Sequence, residues 1–292
     1  MAASISTIGI VHVDSSIVAD LRELSHRNEF SGLEKVKPSG FSISAVVELS
    51  CIRLTGSASL RSILDGWALQ SPILQHGFAA LETGVVPRHT DIWASKGVEF
   101  FPIRGRDWAS EQFYHPFESR FCKAAKEAGF GNMAVGLTGA LFEMADNVVQ
   151  HSSANGASPA HALVGYHVES DHVAFAIGDI GRGCLASLHE NPTWLALPNS
   201  KAALLAIIEK NASRRPHGGD GEGFKEIFRS FANLNGIVEL RSHDGRVTVV
   251  KTTAGRAATP QFTGFASGFQ ISVACSLSGE PREAMFPFDY LT

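Results

Sequence analysis

The sequence predicts an α+β fold, a two-layer α/β sandwich with one mixed sheet and helices on one face. Three observations carry that expectation. Runs with helical spacing of apolar residues alternate with short β-branched or aromatic runs. Several β runs come in pairs separated by two-residue turn signals, the mark of antiparallel hairpins. The pattern is also sharper after about residue 113 than before it, which divides the chain into a small α/β module, 1–110, and a main domain, 111–292.

In the first segment, residues 8–13 read as a strand and 16–26 as a helix. Lys37-Pro38-Ser39-Gly40 reads as a turn, 41–49 as β-rich, 57–67 as helical, and 98–103 as a strand. In the second, 117–128 reads as a helix closed by Gly129, and 132–151 as a longer one. Residues 160–169 and 172–178 read as strands joined by Ser170-Asp171. A helix follows over 200–211 with Ser200 as N-cap. Another spans 223–234 and ends near Asn235-Gly236. Residues 237–242 and 247–252 read as paired strands about an Asp244-Gly245 turn, and 269–277 as the last strand.

The bulk composition restricts function only loosely. At 292 residues, with 44% hydrophobic and 18% charged residues, the chain is long enough for one large domain or two ordinary ones. A formal charge of −4 gives no overall attraction to nucleic acid or anionic membrane, and no clear nucleic-acid binding is expected. No apolar run approaches the roughly 20 residues that span a bilayer, and no secretory leader is visible, so a cytoplasmic location is the expectation. Cys51, Cys122, Cys184 and Cys275 are scattered, which disfavours a zinc site or a disulfide framework. The P-loop and nucleophile-elbow patterns are absent.

Three ordered runs carry chemistry: Glu143-Met-Ala-Asp-Asn147 with His151, then Asp179-Ile-Gly181-Arg-Gly183, then Gly219-Asp-Gly221-Glu-Gly223-Phe224. On a helix, Glu143, Asn147 and His151 fall about 40° apart in turn, beside a stripe of Leu137, Leu141, Met144 and Val148. An Asn amide oxygen suits Mg²⁺, which binds through oxygens and phosphates. A Glu one turn away suits a base acting on water or a hydroxyl. An ordinary solvated helix face has the same pattern. Asp179 closes a strand before two glycines, where a carboxylate can accept from an exocyclic amine and a base can approach the backbone; a common tight turn reads the same way. The third run feeds an apolar helix, and glycine-rich helix starts present backbone N–H groups to anions. Arg214 and Arg215 just upstream are candidates for phosphate contact.

Taken together, these runs resemble the GHKL superfamily, the ATPases that include histidine kinases, gyrase and mismatch-repair ATPases, and anti-sigma-factor kinases. Glu143, Asn147 and His151 match its N box, Asp179, Gly181 and Gly183 its first glycine box, and Gly219, Gly221, Gly223 and Phe224 its second. Asn235–Ser242 and the strand after Gly268 are similar to its closing strands, so the likeness covers about 113–278. It implies ATP bound with Mg²⁺: Asn147 on the metal, Asp179 on the adenine, Gly181 and Gly183 along the base pocket. Gly219, Gly221 and Gly223 would meet the phosphates, 184–218 would form a movable lid, and Glu143 would be the catalytic base. The chain departs from the family in three places. No phosphoacceptor His stands before an acidic residue and Pro, and His115-Pro116 is the nearest approach. The lid carries Glu190-Asn-Pro-Thr-Trp194 in place of a phenylalanine-rich box, and the second glycine box reads Glu222-Gly223-Phe224 where Leu-Gly-Leu is commoner. Residues 1–110 read as a generic α/β module with a weak similarity to STAS domains.

These features lead to an expected Mg-dependent ATPase or protein serine/threonine kinase, acting on a regulatory protein partner and able to form a homodimer. The alternatives are a nucleotide-gated interaction module with little or no turnover, and an unrelated α+β domain with fortuitous glycines.

Overall fold

The computed structural model describes residues 10–27, 29–30, 33–85, 97–105, 114–154, 161–215, 235–252, 255–278 and 285–287. Its helices are α1 (Ser15–Arg27), α2 (Ile43–Thr55), α3 (Ala58–Ala68), α4 (Pro72–Thr83), α5 (Tyr114–Ala125), α6 (Met133–His151), α7 (Gly183–Leu188) and α8 (Ser200–Lys210). Its strands are β1 (Ile10–Val13), β2 (Lys37–Ser42), β3 (Val98–Ile103), β4 (Ala162–Glu169), β5 (His172–Asp179), β6 (Asn235–Thr252), β7 (Gly255–Ser276) and β8 (Met285–Pro287). The fold is α+β. Its principal sheet has the order β3-β4-β5-β7-β6, and a three-stranded sheet has the order β1-β2-β8.

The principal sheet is antiparallel at every pairing, where a mixed sheet was expected. Parallel pairing occurs between β1 and β2 in the small sheet. The hairpin of β4 and β5 turns at Ser170-Asp171 as the sequence predicts, with Ser170 in the left-handed region at φ 44°.

Helices cover both faces of the principal sheet rather than one. On one face Val164, Tyr166, Phe175 and Ile177 join a core with Phe117 and Phe121 of α5 and Leu137, Leu141 and Met144 of α6. On the other, Leu163, Ala174 and Ala176 join a core with Val46, Val47 and Ile52 of α2, Leu74 and Leu81 of α4, and Leu21 of α1. Alternation along each strand sends neighbouring residues to opposite cores. Small side chains on the second face let α2 lie close, and β3 crosses the sequence position of the expected boundary by pairing with β4.

The second core is also where the sequence expectations fail most. The sequence predicts a β-rich run over 41–49, yet α2 is a helix in which every residue from Ile43 to Ile52 is buried. A helix enclosed on all sides has no polar face, so its 3.6-residue period disappears from the sequence. Its start is marked by Ser42, whose side chain accepts from the Ala45 N–H. The expected turn at Lys37–Gly40 is strand β2, and Pro38 sits beside a shift in register between Val11 and His12, where a missing N–H is tolerated. The 57–67 helix is present as α3, capped by Ser57.

Several boundaries differ in the C-terminal half: the helix predicted over 117–128 is Tyr114–Ala125, and the last strand, predicted over 269–277, runs from Gly255 to Ser276. The cap of α8 is Asn199, whose side chain accepts from Ala202 N–H at 2.9 Å, while Ser200 is buried inside the helix. No turn occurs at Asp244-Gly245: β6 runs through it as one strand paired with β7, with register shifts around His243. The glycine serves close approach rather than reversal, because a Cβ on Gly245 would strike the backbone of Lys201 at the start of α8. The expected helix over 223–234 lies outside the described residues.

A buried charge network joins the two halves of the chain. Glu48 of α2 accepts from Arg22 of α1 at 3.0 Å and from Arg241 of β6 at 2.8 Å. Arg241 also pairs with Glu239, which in turn holds Arg246. Arg22, Glu48 and Arg241 are each under 5% exposed. Breaking such a pair leaves an uncompensated buried charge, costing about 3–5 kcal/mol.

Candidate functional site

The centre of α6 builds the site's first wall. As the wheel predicts, Leu137, Leu141, Met144 and Val148 are buried and Glu143 is exposed. Asn147 and His151 lie half-buried between those extremes. The Asn147 amide nitrogen is turned onto the Met144 sulfur at 3.9 Å, which leaves the amide oxygen to act as acceptor or ligand. His151 Nδ1 stands 3.3 Å from the Ser187 hydroxyl of α7.

The second wall comes from the end of β5 and the turn after it. Asp179 is 3% exposed, and its carboxylate accepts from backbone N–H groups of Gly181, at 2.7 Å, and Phe269. Burial outweighs those two bonds and pushes its carboxyl up to about 7, so near neutral pH it exists in both forms. Gly268, at φ +91°, packs so tightly on this strand end that any Cβ would overlap the Asp179 carbonyl. Gly183 opens α7 at φ +73° beneath Ser242 and His243. The Cys184 N–H donates to Ser242 Oγ at 2.9 Å, fixing the turn to β6.

Asn147, His151, Asp179 and Gly183 line one cavity. They come from two helices and a strand end, and the first and third stand 32 positions apart, from 147 to 179. Val148, Leu188, Ile207 and Phe269 give the cavity apolar walls, and Ala212, Ser213 and Arg214 close the far side. Its volume is about 80 Å³, below the roughly 300–1,000 Å³ of pockets for drug-sized ligands. A whole nucleotide therefore enters only if the wall at 212–214 moves outward or part of the ligand stays in the open mouth.

Not every candidate is part of that cavity. Gly181 lies behind it, where a Cβ would meet the Ser152 carbonyl, and Glu143 is absent from its lining. Gly219, Gly221, Gly223 and Phe224 lie outside the described residues. Conversely, Ser152, Cys184, Ser187 and Phe269 line it without having been singled out. Phe269 had one available signal, its place directly after Gly268 in the closing strand. Burial pushes the Cys184 thiol up to about 12, so it is a packing group rather than a nucleophile.

The lining residues Ser213 and Arg214 are tied to the segment after α7. Glu190 uses both carboxylate oxygens, one on Arg182 Nη1 at 2.5 Å and one on Arg214 Nη1 at 3.3 Å. Asn191 Nδ2 and Trp194 Nε1 both donate to the Ser213 carbonyl, at 2.9 and 3.1 Å. Arg215 donates to Gln150 at 3.0 Å.

The donor set is compatible with Mg²⁺ carried by phosphates. Among the described residues no three His, Cys, Asp or Glu side chains gather as a metal centre. Asn147 would then supply one oxygen, with phosphates and water supplying the rest. No protein-family model matches the chain, and no curated protein matches it. No helix among the described residues is long and apolar enough to cross a membrane.

Proposed function

We propose that the chain is a nucleotide-binding protein of the GHKL type. More particularly, we read it as an ATP-binding regulator whose adenine is held at Asp179 and whose metal is held at Asn147. The observation that carries this reading is the convergence of Asn147, His151, Asp179 and Gly183 on one cavity. Ionised Asp179 accepts from the exocyclic amine, with Phe269 and Val148 against the base. Asn147 offers its amide oxygen to Mg²⁺, which when bound would neutralise phosphate charge. Gly219, Gly221 and Gly223 are assigned to the phosphates on the sequence pattern alone.

Two uses of the nucleotide fit this site. In one, Glu143 acts as base in an ATPase or protein serine/threonine kinase that modifies a regulatory partner. In the other, ATP gates an interaction, in a monomer or a homodimer, with little turnover. The exposure of Glu143 outside the cavity lining favours the second. All four cysteines are free thiols, which supports work in the reducing cytoplasm.

Thermal unfolding with ATP, with and without Mg²⁺, tests the reading. Ligand at about 100 times its Kd stabilises by about 2.7 kcal/mol. Asn147→Ala should remove the metal-dependent part of the shift, and no shift with ATP or ADP would refute nucleotide binding. Glu143→Ala then separates the two uses, since unchanged hydrolysis or transfer in that variant removes the enzymatic one.

A further inference from the structure

Glu190 lies where the sequence departs from the family pattern, and it pairs with Arg214, an arginine of the cavity lining. It neutralises Arg182, on the turn that follows Asp179, and Arg214, on the opposite wall of the cavity. The side chains of Arg182, Arg214 and Glu190 are 18%, 13% and 26% exposed, so the cluster is partly desolvated and its charges are only partly screened. Arg182 is anchored independently, its Nε donating to the His151 carbonyl at 3.1 Å. Its Nη2 is buried without a hydrogen-bond partner among the described residues. The arginine on the other side belongs to a wall that is clipped to the Asn191–Trp194 turn through the Ser213 carbonyl. That same wall keeps the cavity at about 80 Å³.

We propose that Glu190 is a built-in competing anion: its carboxylate occupies Arg182 and Arg214 and holds the cavity wall inward until a polyphosphate displaces it. This rests on the nucleotide reading for the identity of the ligand, though not for the competition itself. The carboxylate and a phosphate group offer the same planar arginines similar acceptors, so they exclude one another by charge as well as by space. The site then discriminates by phosphate charge. A ligand with enough negative charge recovers both arginines, whereas an uncharged nucleoside has nothing to exchange for Glu190. The contact depends on the carboxylate's charge, and Arg182 and Arg214 hold Glu190 below its usual range, so it stays ionised at neutral pH.

The test compares wild type with Glu190→Gln by calorimetry, using inorganic tripolyphosphate, ATP with Mg²⁺, and adenosine as separate probes. Glutamine keeps the size of the side chain and removes its charge. Tripolyphosphate and ATP should bind about tenfold more tightly to the variant, a modest coupling for sites that share charged groups. Adenosine should gain clearly less than this, only the part that a freer wall contributes. The gain should disappear in Glu190→Gln combined with Arg214→Ala, with circular dichroism confirming that both variants are folded. Equal tightening of adenosine and ATP would overturn the proposal, because the effect would then be loosening of the wall alone. Unchanged tripolyphosphate affinity would overturn it too, even if ATP binds. If tripolyphosphate behaves as expected while neither ATP nor adenosine shows a contribution from its base, the competition stands and the nucleotide reading falls.

Discussion

Replacing Asp179 by Asn gives a measurement in which stability and ligand recognition move in opposite directions. In the folded chain this carboxyl holds its proton up to about pH 7, against 3.8 for an unburied aspartate. Between those values the folded state binds more protons than the unfolded state, so stability falls as pH rises. Above pH 7 the loss is complete and constant; below about pH 4 it is absent. The difference of about 3 pKa units at 1.36 kcal/mol each corresponds to about 4 kcal/mol. That is an upper figure, since water admitted to the cavity reduces it. Asparagine keeps an acceptor for the Gly181 N–H and carries no charge. Urea unfolding at pH 4, 6 and 8 should therefore show the variant gaining on wild type as pH rises, by up to about 4 kcal/mol between pH 4 and pH 8. Comparison of the two proteins at each pH cancels every other titrating group. The variant should at the same time lose affinity for adenine nucleotides. A stability difference that stays flat with pH would refute the argument that burial of this carboxylate is costly.

Other expectations concern the frame around the site. Arg241→Met should destabilise the fold by less than the ~3–5 kcal/mol of a buried charge left alone, because Arg22 still pairs with Glu48 and Arg246 with Glu239; denaturant midpoints would show this. Phe175→Ala, in the core between the sheet and α5, should cost about 3–5 kcal/mol in the same assay. Asn199→Ala should cost about 1 kcal/mol as a lost N-cap, seen as a lowered Tm. Nucleotide affinity should weaken as pH falls below 7, where Asp179 takes up its proton, and Asp179→Asn should abolish that dependence.

Legibility in the sequence followed the physics of each element. Helix α6 was readable because it is amphipathic, with one face on the core and the other on the site. Strands β4 and β5 were readable because a two-residue turn joins two short β-rich runs. Helix α2 was hidden by being buried all round. At Gly245 a turn-like dipeptide marks a bulge, because local sequence cannot reveal that a helix from 45 residues upstream, starting at Ser200, presses on that spot. Asn147, His151, Asp179 and Gly183 could be named because their order and spacing carried information. Glu190 and the Glu48–Arg241 pair could not be joined to their partners, since residues as far apart as 48 and 241 share no sequence pattern.

The two-sided sheet bears on how this protein can be dissected. A fragment starting near residue 111 would lose strand β3 and expose Leu163, Ala174, Ala176 and Ala274 to water, inviting aggregation through a bare sheet. It would also take Glu48 from the Arg241 guanidinium and leave it paired with Glu239 alone, next door to the Ser242 hydroxyl that accepts from the Cys184 N–H. Loss of ligand binding in such a truncation would thus report the removal of a structural lining and could not be credited to a missing regulatory domain.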